Sequence, residues 1–367
     1  TTEIYTLSLH DALPICLFAI EGELEKVKAN KEGHINSTFI STFKWNGNHY
    51  KYTHQKLNDA VFTRPEEVMD NIQRVTSHIQ SKVAHLPDKD KRCLKLVQTK
   101  GHQWYAYDDE DNLWRTYHFI DGVNTYPFLD DRHLAYRFGE AVGTFQQHLS
   151  DFPADQLHTT IAKFHHMGNR YSQLRQAVSD NKAGRLDSVQ AELEFFLENE
   201  ERGMVLTNAL EAGQVPLRVT HNDTKINNIL FDQTSGEGVC VIDLDTVMSG
   251  TILFDTGDML RTGSITASED EQDLSKVKCD EKLFIQMVKG YRSVADSFLT
   301  QSERSLIAES GRATTQIMGV RFLTDYLNGD VYYHIERPSH NLDRARTQIA
   351  LMQDMDRKWK DIMDCLS

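Results

Sequence analysis

The stretch RVTHNDTKINNILF, residues 218–231, sets a carboxylate, Asp223, and an amide, Asn228, between two apolar anchors, and a second apolar run at 238–242 delivers Asp243 and Asp245. A carboxylate that takes a proton from an alcohol must lie beside that hydroxyl. An amide that binds a cation needs a place near the same centre but apart from it. One amide with one or two carboxylates is a hard-oxygen set that suits Mg²⁺, which completes its shell with water and phosphate oxygens. The chemistry within reach is phosphoryl transfer from a nucleoside triphosphate. It asks a protein for an oriented alcohol, neutralised phosphates and a cation rather than for covalent work. Asp223 and Asn228 are spaced for that division between base and cation-binding amide, and Asp243 and Asp245 are delivered beside them.

These residues need a frame. Between 23 and 57 the pattern predicts three short strands, with Gly33 in the first turn and Asn46-Gly47-Asn48 in the second, Asn-Gly being a strong hairpin signal. A helix follows, with Thr63 and Glu66 at capping-box spacing, Pro65 in its first turn, and Val68, Ile72, Val75 and Ile79 on one face. Strand character returns at 94–97, 104–107 and 114–120. Beyond 130 the periodicity predicts helices over 134–149, 189–210, 282–299, 302–327 and 342–366, interrupted by the β-rich segment that carries Asp223 and Asp243. The expected class is α+β and bilobal: a nucleotide-binding strand lobe over 18–120, a hinge at 121–125, and a helical catalytic and acceptor-binding lobe over 126–367. Residues 1–17 do not begin with Met and share nothing with the pattern that follows, so they read as a non-native leader. The acidic segment 266–280 reads as a solvated loop, with a lid as the alternative.

The chain has 367 residues, 40% hydrophobic, and a net charge of -14. That charge disfavours nucleic acid and anionic membranes as partners and leaves small molecules. Five scattered cysteines, none in a Cys-x-x-Cys pair, give neither a disulfide framework nor a thiolate metal site and fit a reducing cytoplasm. The apolar run at 12–20 is too short to span a bilayer.

His221-x-Asp223-x-x-x-x-Asn228, followed by a turn, an apolar strand and Ile242-Asp243, resembles the catalytic loop and metal-binding strand of the protein-kinase-like phosphotransferases, above all the aminoglycoside phosphotransferase and choline kinase group. The loop usually reads His-Gly-Asp there; here it is His-Asn-Asp. Within that superfamily the chain resembles the N-acetylhexosamine 1-kinases most. Gly33-His34-Ile35-Asn36 is similar to their Gly-His-Ile-Asn turn, and Gln55-Lys56-Leu57-Asn58, GTILFDTGDMLR (250–261) and GVRFLTDYLNGDV (319–331) extend the likeness. The resemblance implies a protein-kinase-like fold, ATP and Mg²⁺, and transfer of the γ-phosphate to the anomeric hydroxyl of N-acetylglucosamine or N-acetylgalactosamine, with Asp223 as the catalytic base that meets the acceptor, Asn228 and Asp243 as metal ligands, and Asp245 assisting the metal or holding the acceptor. No Gly-x-Gly-x-x-Gly is present, so the turn at Gly33, His34 and Asn36 is expected to meet the phosphates through its backbone.

Each assignment has a plainer reading beside it. Lys56 is expected to reach the phosphates if Glu66 or Glu67 orients it, with Lys51 competing for the part. His221 is expected to brace the loop; Lys225 and Asn227 either stabilise it or meet phosphate. Asp255 and Asp258 suit a helix start that holds the catalytic loop. Arg321, Asp325 and Tyr326 share one helix and are candidates for the acceptor, although Arg321 and Asp325 could simply pair on its surface. His165-His166 lacks a third ligand at zinc-type spacing. Two other functions fit the same sequence: an aminoglycoside or choline-type kinase, and a pseudokinase that binds ATP as a scaffold. Oligomeric state is not legible.

Overall fold

The computed structural model describes residues 13–30 and 36–366, so Gly33 and His34 lie outside the described residues. A short helix, α1 (Leu13–Cys16), precedes an antiparallel sheet built from β1 (Glu23–Asn30), β2 (Ser37–Trp45), β3 (Asn48–Lys56), β4 (Ala106–Tyr107) and β5 (Leu113–His118), in the order β1-β2-β3-β5-β4. The β2–β3 connection turns at Asn46 and Gly47, with φ of 50° and 82°, the left-handed pair that a tight hairpin requires. The strand expected at 94–97 is reduced to one bridge between Leu96 and Tyr117, and that at 104–107 to the two residues of β4.

Helix α2 (Pro65–Val83) starts at its proline, where a missing N–H costs nothing. Its N-cap is Arg64 with no side-chain cap, so the Thr63–Glu66 box does not form; Glu66 instead accepts from the Tyr107 hydroxyl. Val68, Ile72, Val75 and Ile79 pack in one core with Leu57, Leu113 and Tyr117 from the sheet. The other face of the sheet carries a separate cluster of Ile15, Phe18, Phe43, Tyr52, Val97 and Trp114.

The rest is helical around a β insert. A short strand β6 (Val123–Asn124) leads to α3 (Arg132–His148), α4 (Met167–Asp180), α5 (Gln190–Glu198), α6 (Glu200–Gly203) and α7 (Val205–Glu211). The insert follows as β7 (Arg218–Thr220), β8 (Ile229–Asp232), β9 (Gly238–Val241) and β10 (Met248–Gly250). Four more helices finish the chain: α8 (Ile252–Ser264), α9 (Glu281–Ala295), α10 (Gln301–Asn328) and α11 (His340–Leu366).

Two elements depart from the periodicity, the first for a tertiary cause. The helix expected over 189–210 breaks into α5, α6 and α7 around Asn199, whose carbonyl accepts from Gln316 and whose amide oxygen accepts from Arg312, both at 2.7 Å and both from α10. Helix α4 was not expected, although Met167, Tyr171, Leu174 and Ala177 supply its buried face.

Helix α10 opens with a full capping box, Thr300 and Glu303, a device that stabilises a helix start by about 1 kcal/mol. Fully buried Glu303 also pairs with Arg218 at 2.7 Å, tying the start of β7 to α10. Helix α8 lies so close to α10 that a Cβ on Gly257 would stand 2.6 Å from the Ser310 carbonyl. Helix position there is fixed to a few tenths of an ångström, and α8 carries Asp255. Among the described residues no helix is long and apolar enough to cross a membrane.

Candidate active site

Asp223 sits in the loop between β7 and β8, and the backbone of that loop is held from beneath by one side chain. Asp255, fully buried on α8, accepts the N–H of His221 (3.0 Å) and of Asn222 (2.7 Å) and the Gln146 amide (3.0 Å). Its own carbonyl accepts from the Thr224 hydroxyl at 2.6 Å. Burial raises the Asp255 carboxyl, opposed by His221 and these bonds. Asp255 therefore supports the loop, but from inside α8; the helix cap is Thr251. Asp258 instead pairs with Arg261 at 2.8 Å.

His221 braces the loop a second time. Its Nε2 donates to the Ile242 carbonyl (2.8 Å), and its Nδ1 accepts the Asp223 N–H (3.2 Å). Asn222 has φ of 67°, a backbone region that glycine and then asparagine tolerate best. Its amide nitrogen donates to the carbonyls of Thr246 (2.9 Å) and Thr220 (3.2 Å), which compensates the absence of glycine there.

The hairpin of β8 and β9 brings the second cluster alongside. Ile229 pairs with Val241, and the Ile242 N–H donates to the Asn228 carbonyl at 2.9 Å, so Asn228 and Asp243 leave adjacent strand ends. The Asn228 side chain donates to Asp223, at 2.8 Å to its carbonyl and 3.1 Å to Oδ2. With the amide nitrogen spent on Asp223, the amide oxygen is the atom left to meet a cation. Asp243 has φ of 62°, a left-handed backbone unusual outside glycine and asparagine.

The electrostatics divide the two acids. Burial would raise Asp223, but Lys225, at 2.9 Å from Oδ2, holds its carboxyl below the usual range. Asp243 is pushed up to about 6 by burial, Asp245 and Asp223. A carboxyl raised by neighbouring acids is one whose ionisation a divalent cation would favour, so the donor set fits Mg²⁺. Among the described residues no three His, Cys, Asp or Glu side chains converge as a cage. Asp243 and Asn228 are the donors that remain for such an ion, because Asp245 is otherwise engaged: buried, it pairs with Arg115 and accepts from Asn36.

The strand lobe differs from expectation in its cation. Lys56 stands opposite Trp114 in the β3–β5 register, on the face away from Gln55 and Arg115. No carboxylate from α2 orients it: Glu66 is bound to Tyr107 and Glu67 to Arg64. Lys51 pairs with Asp121 at 2.7 Å. What α2 contributes is Asn71, fully buried, whose amide donates to the carbonyls of Val247 (3.0 Å) and His158 (2.9 Å).

On the helical side, Arg321 and Asp325 do not pair. Asp325 accepts the N–H groups of Val331, Tyr332 and Tyr333 at 2.9–3.0 Å and the Asn341 amide at 2.9 Å, so it holds the loop after α10. Tyr326 is buried beneath Arg185, 4.5 Å from its ring. Arg321 lies against the rings of Phe164 (4.9 Å), Tyr333 (5.5 Å) and Tyr332 (5.8 Å). His165 links this cluster to the loop: its Nε2 meets the Asn222 carbonyl at 3.0 Å. Burial and Arg321 lower it to about 3, with Arg170 adding to the effect, so it is neutral near pH 7. His166 faces Glu211 at 2.9 Å instead.

Asp223 and Asn228, with Asp243 at an adjoining strand end, are the side-chain types that phosphoryl transfer asks for, and the sequence comparison points the same way. The family described as "Phosphotransferase enzyme family" (APH) matches residues 63–277. This chain belongs to that family. The fold of this phosphotransferase is shared with an aminoglycoside phosphotransferase from Alicyclobacillus acidocaldarius at a TM-score of 0.62 and 14% identity, over 99% of this chain and 98% of that one. Choline kinase from Cryptosporidium parvum aligns at 0.53 and 17% identity, over 93% and 90%. A GDP complex of aminoglycoside 2'-phosphotransferase-IIIa aligns at 0.56 and 15% identity, over 89% and 93%.

Two residues that pattern reading passes over bear on the site. Gln146, in the last turn of α3, looks like a surface glutamine and is buried against Asp255. Arg115 is an arginine inside an apolar strand, LWRTYH, and that interruption was the available signal.

Proposed function

We propose that this phosphotransferase moves the γ-phosphate of ATP, with Mg²⁺, to a hydroxyl of a neutral amino sugar, the anomeric hydroxyl of N-acetylglucosamine or N-acetylgalactosamine. Asp223 is the base that orients and deprotonates that hydroxyl, kept ionised by Lys225. Asn228 and Asp243 hold the ion, which when bound neutralises phosphate charge. The strand lobe, with Gly33, His34 and Asn36, receives the nucleotide.

The observation that carries the acceptor class is the charge beside the base. Arg321 and Arg170 both act on His165, and among the described residues neither guanidinium has a carboxylate partner. Burial and Arg321 lower Arg170 to about 10. The Tyr333 hydroxyl and His165 Nδ1 are buried there without a hydrogen-bond partner. A cationic amine would meet two positive groups, whereas hydroxyls and an acetamido oxygen would accept from them. Aromatic faces at Phe164, Tyr332 and Tyr333 suit the apolar side of a sugar ring.

A panel of N-acetylhexosamines, parent hexoses, aminoglycosides and amino alcohols with Mg²⁺-ATP tests this. The expected result is turnover on N-acetylhexosamines, lost by about 10²–10⁴-fold in Asp223→Asn with nucleotide binding retained. Turnover confined to amines would replace the acceptor class and align the chain with the choline and aminoglycoside kinases. Nucleotide binding without turnover on any acceptor would favour a scaffold.

A further inference from the structure

In β5 successive side chains face opposite sides of the sheet. Trp114 joins the outer cluster, while Leu113 and Tyr117 join the core under α2, so Arg115 between them points toward the helical part. It is 1% exposed. Its Nη1 pairs with Asp245, and its Nε and Nη2 donate to the Gln55 amide oxygen at 3.0 and 2.8 Å. The Tyr117 ring lies 5.4 Å away.

Asp245, 4% exposed, belongs to the turn that follows the strand carrying Asp243. Its other oxygen, Oδ2, accepts from the Asn36 amide nitrogen at 2.5 Å, and the Asn36 side-chain oxygen, Oδ1, accepts the Asn58 N–H at 3.0 Å. Asn36, just before β2, and Arg115 of β5, itself held by Gln55 of β3, thus meet at one carboxylate two residues beyond Asp243.

Both oxygens of Asp245 are committed to the strand lobe, which leaves it poorly placed to ligate an ion or an acceptor. We propose that Arg115 and Asp245 form a lobe-bridging positioning pair: by anchoring the turn after β9 to the sheet, they hold the left-handed backbone of Asp243 and so set where its carboxylate meets the metal–nucleotide. The inference rests on the assignment of Asp243 to the Mg²⁺-nucleotide site and is independent of the acceptor's identity. A buried pair is a costly stabiliser but an effective way of fixing one arrangement over others.

Single removal of either charge strands its partner in the core and can unfold the protein. The decisive variant is therefore the double substitution Arg115→Met with Asp245→Leu, which removes both charges at similar volume, compared with Arg115→Lys. Titration calorimetry with Mg²⁺ and a non-hydrolysable ATP analogue needs no acceptor, so it reports even if the proposed sugar is wrong. The expected result for the folded double variant is at least tenfold weaker binding of the Mg²⁺-analogue, a raised Mg²⁺ requirement for turnover and an unchanged acceptor KM, with Arg115→Lys restoring part of the binding. Wild-type binding and Mg²⁺ dependence in the folded double variant would overturn the proposal. A change confined to acceptor KM would also overturn it, by placing Asp245 at the acceptor.

Discussion

Two loops of this protein are held in the same way and used differently. The loop at 221–228 hangs from Asp255 on α8, and the loop at 331–333 hangs from Asp325 on α10; each aspartate is buried and accepts consecutive backbone N–H groups. The first loop is itself inside, with His221 fully buried and Asn228 at 6% exposure. The second is outside, with Val331 at 77% and Tyr332 at 58%. A buried loop cannot borrow water for its backbone groups, so it must keep one geometry. An exposed loop held only at its root can vary its tip without endangering the fold, which suits a wall that meets an acceptor.

The most severe way to break this comparison is Asp255→Ala. It leaves the His221 and Asn222 N–H groups buried without an acceptor, at about 1–3 kcal/mol each. Chemical denaturation should show a loss of about 4 kcal/mol, and turnover should fall with it; a variant of native stability would mean the loop does not depend on this carboxylate.

A pH series separates the buried centre from its surroundings. In the folded chain the Asp243 carboxyl is pushed up to about 6, against about 3.9 in an unfolded chain. Between those values the folded state holds more proton, so the metal-free protein should lose stability as pH rises from about 4 to about 6, by about 3 kcal/mol in all. Thermal melts of wild type and Asp243→Asn across that window check it: the asparagine variant should lack that part of the slope, and Asp325→Ala should retain it.

Asp325→Ala tests the outer loop. Its N–H groups can turn to water, so the expected cost is smaller, about 1–2 kcal/mol. Acceptor KM should rise severalfold while the KM for ATP stays put. Equal rises in both would erase the distinction between the two loops.

Asn222→Gly should have the mildest effect. Glycine accepts φ of 67° freely but gives up the bonds to Thr220 and Thr246, a net change of about 1 kcal/mol or less in stability, with kcat within a few fold of wild type. Asn222→Ala should be worse than glycine by about 1 kcal/mol, because alanine pays for the left-handed backbone with no side-chain bonds in return.

Much of the fold was readable because it rests on local signals. The Asn46-Gly47 hairpin, the apolar face of α2, and the long helices α9, α10 and α11 each carry their periodicity or turn residues within a short window. The proximity of Asp223, Asn228 and Asp243 was readable for a related reason: they come close in sequence through a single hairpin, so spacing alone brings them together. Helix breaks at Asn199 were not readable, since their cause is a pair of side chains on α10 more than a hundred residues away.

The sequence by itself determined the chemistry-bearing residues and the order of strands and helices around them, because side-chain type and local periodicity are properties of neighbours along the chain. Only the tertiary structure decided that the sheet turns Arg115 rather than Lys56 toward Asp245, that Asp325 holds a loop instead of pairing with Arg321, and that Arg321 and Arg170 both stand near His165. Those outcomes depend on which face of a strand or helix is buried against a distant partner, and the cost of an unpaired buried charge is set by that partner, not by the residues beside it in sequence.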